Sequence, residues 1–348
     1  MRKFAVFSGF LGSGKTTTMM SLTNHYGKAA MISNDLGGSG LADNRFARLR
    51  KCNASELAGE CICYQTENLV ARLNDLFDDG CELVISDIPG FGVGALEHVY
   101  HTLSERYSGQ YELAPFTVLV EPRTVELLRS DSGGNLTCIL DSQLVEADLI
   151  VLNKCDLLDT AARVDAMEYL SIQYPEAQVI SISSLTGEGL DELTCALTTG
   201  QASLHRPQFS YGDLEISAAM DGISEYNIQY YATVCCHTID GNAYLMALAE
   251  ALQSGIWQLG AEIPHLKLLA WESEESYGKI DLLGAERPIE VNQRFDHPCT
   301  ELAVVLNTSA LCPSDKLDAL ITGVVEEISK KFQLELVVYR KECFGLGG

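Results

Sequence analysis

Gly9-Phe10-Leu11-Gly12-Ser13-Gly14-Lys15-Thr16 has the spacing G-x-x-x-x-G-K-[ST]. The chemistry of that pattern is phosphate binding. Gly12, Ser13 and Gly14 let successive backbone N–H groups turn inward around phosphate oxygens, and a helix N-terminus adds its dipole. Lys15 is expected to reach the β- and γ-phosphates and the Thr16 hydroxyl to ligate Mg²⁺, with Thr17 next in the same cradle. Asp87-Ile88-Pro89-Gly90 follows the apolar run Leu83-Val84-Ile85. Asp87 can hold the metal through water there, and the Gly90 amide can sense the γ-phosphate. Gly92 and Gly94 are expected to leave the following loop free to move. Base choice resides in Asn153-Lys154-Cys155-Asp156. Guanine offers N1–H and its 2-amino group side by side, and the two oxygens of Asp156 can accept both; adenine lacks that pair of donors. Asn153 would sit near the base and brace the loop, with the stem of Lys154 along the ring. In Ser183-Ser184-Leu185-Thr186-Gly187 the Ser184 backbone N–H is the expected donor to guanine O6. No general base is evident, so catalysis would rest on positioning and charge neutralisation by Lys15, Thr16 and Asp87 around Mg²⁺.

Gly59-Glu60-Cys61-Ile62-Cys63-Tyr64 lies between the phosphate loop and Asp87. In an extended segment residues i and i+2 face one side about 6.6 Å apart at Cα, close enough for two thiolates to meet one metal ion. Cys52 is a candidate third ligand. Cys235-Cys236-His237 falls in a strand-like run, where neighbours face opposite ways, and is read as a core strand with incidental thiols. His98 and His101 are read as a solvated helix face.

Short β-branched runs at Lys3 to Ser8, Ala29 to Ser33, Glu82 to Asp87, Phe116 to Glu121, Leu149 to Asn153 and Gln178 to Ser183 carry these motifs at their ends. They alternate with helical stretches such as Lys15 to Tyr26, Leu69 to Leu76 and Arg163 to Ile172. That alternation predicts an α/β, P-loop NTPase domain with a mainly parallel sheet over residues 1–200. A polar segment over 201–226 reads as a linker. Residues 227–348 then read as strand, helix, three strands, helix and strand, a smaller α+β domain of ferredoxin-like character, expected to bind a partner. The 348 residues fit about two domains. Lys and Arg number 24 against 48 Asp and Glu, a net charge of −24 that argues against nucleic acid and anionic membranes as partners. The 12 cysteines, in a chain without an export signal, are expected to be reduced thiols in the cytoplasm.

Gly9 to Thr17, Asn34-Asp35-Leu36-Gly37, the C-x-C pair and Ala147 to Asp156 together resemble the CobW/HypB/UreG class of P-loop GTPases, within the SIMIBI fold, and most of all its CobW-type branch. The resemblance covers roughly the first 200 residues. It implies low-rate GTP hydrolysis, with GTP or GDP and Mg²⁺ bound, coupled to metal delivery or to maturation of metalloenzymes and corrinoid enzymes. It also implies a client metalloprotein or corrinoid protein as partner, and a homodimer is a further candidate. Carried over by position, Asp35 joins Thr16 and Asp87 around Mg²⁺, and Cys61 and Cys63 become ligands of a transition metal, Zn or Co. Tyr64 stands where the class commonly has a third cysteine, so the remaining ligands would come from Cys52, water or a partner. Asp87 stands where the class usually has Glu. The alternative is a guanine-nucleotide switch that recruits a partner and carries no metal.

Overall fold

The computed structural model describes residues 2–36, 39–130, 135–210, 212–234, 237–261, 265–284 and 287–346. Gly37, Cys235, Cys236, Gly347 and Gly348 lie outside them. The chain forms two compact units: residues up to Ser39 with Arg50–Met220, and Gly40–Leu49 with Asp221 onward.

In the first unit eight strands form one sheet: β1 (Lys3–Ser8), β2 (Ala29–Leu36), β3 (Ala54–Gly59), β4 (Leu83–Asp87), β5 (Glu112–Leu113), β6 (Thr117–Val120), β7 (Leu149–Leu152) and β8 (Gln178–Ser181). Their order is β3-β2-β4-β1-β6-β7-β8, with β5 beside β1, and every pairing is parallel. Parallel strands need crossover helices, which cover both faces, so the strands read as near-continuous apolar runs. Phe4, Ala5, Val6 and Phe7 of β1 are fully buried, as are Leu83, Val84 and Ile85 of β4. The register sets Phe7 against Asp87, so the end of β4 lies beside the strand that feeds the phosphate loop. Ligands of open parallel sheets bind outside the carboxyl ends of the strands, where all four nucleotide motifs fall.

The second unit holds β9 (Ile223–Thr233), β10 (His265–Trp271), β11 (Tyr277–Leu282), β12 (Glu290–Gln293), β13 (Glu301–Leu311) and β14 (Glu335–Gly345), in the order β12-β11-β10-β13-β9-β14. All pairings are antiparallel. Setting β11 and β12 aside as an added hairpin edge, the remaining order β10-β13-β9-β14 with helices Gly241–Gln258 and Ser314–Lys331 is the ferredoxin-like β-α-β-β-α-β arrangement. Leu245, Leu248, Leu252 and Ile256 from one helix and Leu317, Ile321 and Val325 from the other share a core with Ile228, Tyr230, Leu268 and Leu306 of the sheet.

Sequence periodicity did not anticipate the helix Ala42–Leu49. It lies between β2 and β3 in the chain yet belongs to the second unit, where Ala42 and Leu49 pack with Leu269, Tyr277 and Val305. The Ala42 N–H donates to Asn307 Oδ1 at 2.8 Å, and Asp43 is paired with Lys267.

Candidate nucleotide and thiol sites

The phosphate loop leaves β1 at Ser8 and enters the helix Lys15–Tyr26. Gly9, Gly12 and Gly14 all have positive φ, the left-handed region that excludes most side chains. A Cβ on Gly14 would fall 2.3 Å from Asn153 Nδ2 and one on Gly9 2.3 Å from the Leu119 carbonyl oxygen. The loop therefore cannot carry side chains at these points. Lys15 is buried with its ammonium on the Gly9 carbonyl, and Ser13 is buried with its hydroxyl lacking any hydrogen-bond partner. A cradle closed to Cβ atoms, a buried ammonium and a buried hydroxyl with no partner in the protein suit a phosphate-binding loop. The residues fit a magnesium nucleotide.

Asn153 is the brace between motifs. Its Nδ2 donates to the Ser13 carbonyl at 2.9 Å, and its Oδ1 accepts from Ser184 N at 3.1 Å and Ser184 Oγ at 2.8 Å. Thr18 of the first helix meets Ser184 Oγ at 2.6 Å. The Ser184 N–H expected at guanine O6 is thus engaged by Asn153 here, and a contact with the base requires that bond to yield. Lys154 holds left-handed φ, and its ammonium is paired at 2.9 Å with Glu121, which is buried at the end of β6. Asp156 is exposed one turn beyond, as a carboxylate that reads a base must be. Nothing in the sequence reading marked Glu121; a carboxylate directly after the apolar run Thr117–Val120 was the available signal.

The Asp87 loop departs from expectation. Far from free, Gln143 Nε2 donates to the carbonyls of Gly90 and Gly92 at 3.1 and 2.8 Å, and Glu146 accepts from Gly94 N at 3.4 Å. Glu146 also accepts from Phe209 N at 3.1 Å, and burial pushes its carboxyl up to about 7 against those donors. A Cβ on Gly90 would lie 2.3 Å from the Leu11 side chain, so this glycine touches the phosphate loop directly. Phe10 and Phe91 meet edge to face at 5.4 Å.

Cys61 and Cys63 are buried with their sulfurs 3.0 Å apart. The segment is a 3₁₀ turn over Ile62–Tyr64 capped by Cys61, rather than the extended run expected, and the turn brings the thiols together more closely. Two thiolates on one tetrahedral Zn²⁺ stand roughly 3.8 Å apart, given Zn–S of about 2.3 Å, so the pair needs to open only slightly. Its hydrogen bond with Cys61, then burial, raises the Cys63 thiol well above its ordinary value. Cys52 is elsewhere: its sulfur faces Asn24 Oδ1 at 3.9 Å, beside Thr23 at the end of the first helix. No third Cys, His, Asp or Glu ligand joins the pair among the described residues. The ring of Tyr64 instead lies 5.6 Å from that of His98, whose Nε2 is buried without a hydrogen-bond partner. His98 is thus partly buried against Tyr64 rather than fully solvated.

Asn34, at the end of β2, ties the thiol turn to the nucleotide site. Its backbone N–H donates to Asp87 Oδ1 at 2.8 Å, and its side-chain oxygen accepts from the Ile62 N–H at 2.8 Å. Its Nδ2 donates to the carbonyls of Leu57 and Glu60 at 3.0 and 2.9 Å. It is completely buried. The resemblance placed Asn34 in a shared motif, but its bridging part is visible only in the fold.

Such a site, on a parallel sheet with its motifs at the strand ends, defines a P-loop GTPase. The nucleotide-binding domain model of CobW/HypB/UreG matches residues 3–181, just over half of the chain, which therefore belongs to that family of nucleotide-binding, metal-related proteins. No curated protein matches the chain. Among solved structures it is similar to the Zn(II)-bound YjiA GTPase from E. coli, at 15% identity over 92% of this chain and 98% of that one, with a TM-score of 0.36. It is also similar to HypB from Helicobacter pylori in complex with nickel, at 18% identity over 58% and 90%, with a TM-score of 0.42. No helix among the described residues is long and apolar enough to cross a membrane.

Proposed function

We propose that this chain is a Mg²⁺-dependent GTPase that couples GTP hydrolysis to delivery of a transition metal, or to assembly of a metal or corrinoid cofactor, on a client protein. The supporting observation is the Asn34 bridge, which joins Asp87 to the backbone between Cys61 and Cys63 through two hydrogen bonds. In this reading Thr16, Asp35 and Asp87 hold Mg²⁺, which when bound supplies charge neutralisation at the phosphates. Lys15 exchanges the Gly9 carbonyl for phosphate oxygens, and Asp156 accepts both guanine donors. The cysteines carry a soft cation as cargo, with Zn²⁺ or Co²⁺ favoured over Mg²⁺ by thiolate ligands. Two thiols leave a tetrahedral ion half unliganded, as suits a cation to be handed to a client or shared between two copies of the chain. Reduced thiols suit the cytoplasm.

The test is metal content after dialysis of the purified, reduced protein against limiting Zn²⁺ or Co²⁺, with GDP or a non-hydrolysable GTP analogue, for wild type and Cys61→Ser/Cys63→Ser. The expected result is a nucleotide-dependent fraction of metal that the double variant lacks. Equal loading of both proteins in both nucleotide states would leave the partner-recruiting switch without metal as the better account.

A further inference from the structure

Among the described residues only one place brings three potential metal-ligating side chains together, and it lies in the second unit. Glu272, His297 and Cys299 present one carboxylate oxygen, one ring nitrogen and one sulfur all within 4.8 Å of one another. Glu272 follows β10 in the turn to β11. His297 and Cys299 precede β13, and the Cys299 backbone is fixed by paired hydrogen bonds with Ile239 at 2.8 and 2.7 Å. We propose that Glu272, His297 and Cys299 form a binding site for Zn²⁺ or Co²⁺ in the C-terminal domain, separate from the Cys61/Cys63 pair and with one coordination position left open.

Each donor is prepared for that task. The Glu272 Oε1 atom accepts from Thr300 N at 2.8 Å and Thr300 Oγ1 at 3.3 Å, which aims Oε2 toward His297 Nδ1 at 3.9 Å. The Pro298 carbonyl lies 3.1 Å from the same Nδ1, so this nitrogen becomes a ligand in the tautomer that carries its hydrogen on Nε2. Cys299 is fully buried, whereas the His297 side chain is 57% exposed, so a cation has a route in and the imidazole can swing to close on it. The Ser276 hydroxyl, buried beside Cys299, has no hydrogen-bond partner and is available to donate to a metal thiolate. Asp240 adds negative charge nearby. One sulfur, one nitrogen and one oxygen donor suit a borderline ion rather than Mg²⁺, and three protein ligands with a fourth position open describe an exchangeable site rather than a closed structural one.

This proposal does not rest on the function proposed above, and its test removes the other thiol pair. Co²⁺ is titrated into full-length Cys61→Ser/Cys63→Ser protein under reducing conditions, followed by the sulfur-to-cobalt charge-transfer band and the tetrahedral ligand-field bands. The expected result is one Co²⁺ per chain with both bands present, and displacement by Zn²⁺. Adding Cys299→Ala should abolish the charge-transfer band. His297→Ala, at an exposed position that folding tolerates, should weaken binding by at least the roughly tenfold that losing even an outer partner costs. Absence of a thiolate band in the double variant, or Co²⁺ affinity unchanged by His297→Ala, would overturn the assignment.

Discussion

Asn34 and Ile62 are joined by a 2.8 Å hydrogen bond from the Ile62 N–H to Asn34 Oδ1, and the same asparagine donates its own N–H to Asp87 at 2.8 Å. The backbone atom held is the one between the two thiols. In the proposed function, a displacement of Asp87 on binding a magnesium nucleotide would reach the Cys61/Cys63 turn through a single, fully buried residue.

Asn34→Ala strands the Ile62 N–H and takes a donor from the Leu57 carbonyl, while the Glu60 carbonyl keeps Gln65 Nε2. A buried orphan costs about 1–3 kcal/mol, so a loss of roughly 2 kcal/mol or more in urea unfolding is expected. Asn34→Asp should recover part of it, because its oxygen can still accept from Ile62. Wild-type stability in the alanine variant would remove the bridge from consideration.

In the proposed function base selection depends on Asp156. Asp156→Asn exchanges an acceptor for a donor opposite the guanine 2-amino group and should shift preference from guanine to xanthine nucleotides, read by competitive binding. Wild-type protein binding ATP as well as GTP would contradict the guanine assignment.

Gly14→Ala combines an unfavourable φ of 91° with a Cβ 2.3 Å from the Asn153 amide. It should disable nucleotide binding by displacing the brace that holds Ser13 and Ser184, while the sheet stays folded by circular dichroism. Lys15→Ala should remove hydrolysis and weaken triphosphate binding without disturbing the fold. GTP hydrolysis at the normal rate by either variant would contradict the loop's assigned part.

The Glu146 carboxyl, raised from an ordinary 4.5 to about 7 by burial, imposes a pH-dependent cost. Between these values the folded chain keeps a proton that the unfolded chain has released, so stability falls as pH rises from about 4.5 to 7 and the penalty is constant above. Glu146→Gln removes it, and the gain should be about 1–3 kcal/mol at pH 8 and near zero at pH 4.5. Unfolding midpoints of both proteins at the two pH values check this. An equal gain at both would show that the carboxyl titrates normally.

Much of the site was legible because phosphate loops and base-reading turns are local: spacing alone located Gly9 to Thr16, Asp87 to Gly90 and Asn153 to Asp156. The parallel strands were equally legible as apolar runs buried on both faces. What escaped is non-local. Gln143 and Glu146 restrain the Gly90–Gly94 loop from about fifty residues away in sequence, and no periodicity announces such a contact. The helix Ala42–Leu49 belongs to a sheet formed far downstream, so its apolar side makes sense only beside Leu269 and Val305. Edge strands β3 and β12 lack the continuous apolar run that marks the central strands, since each has a sheet neighbour on one side only.

Nucleotide and thiol-bound metal are expected to be coupled, and the coupling free energy is directly measurable. Zn²⁺ is titrated into the GDP-bound and GTP-analogue-bound protein, for wild type and Asn34→Ala, with Cys299→Ala in both to leave the Cys61/Cys63 pair as the thiol site under study. Linkage requires the nucleotide to alter Zn²⁺ affinity by the same factor as Zn²⁺ alters nucleotide affinity, and couplings of this kind are typically about 1–3 kcal/mol, or roughly 5–150-fold. A factor in that range is expected for wild type, equal from both directions, falling toward one in Asn34→Ala. Identical Zn²⁺ affinity in both nucleotide states of the wild-type chain, or undiminished coupling without Asn34, would contradict it.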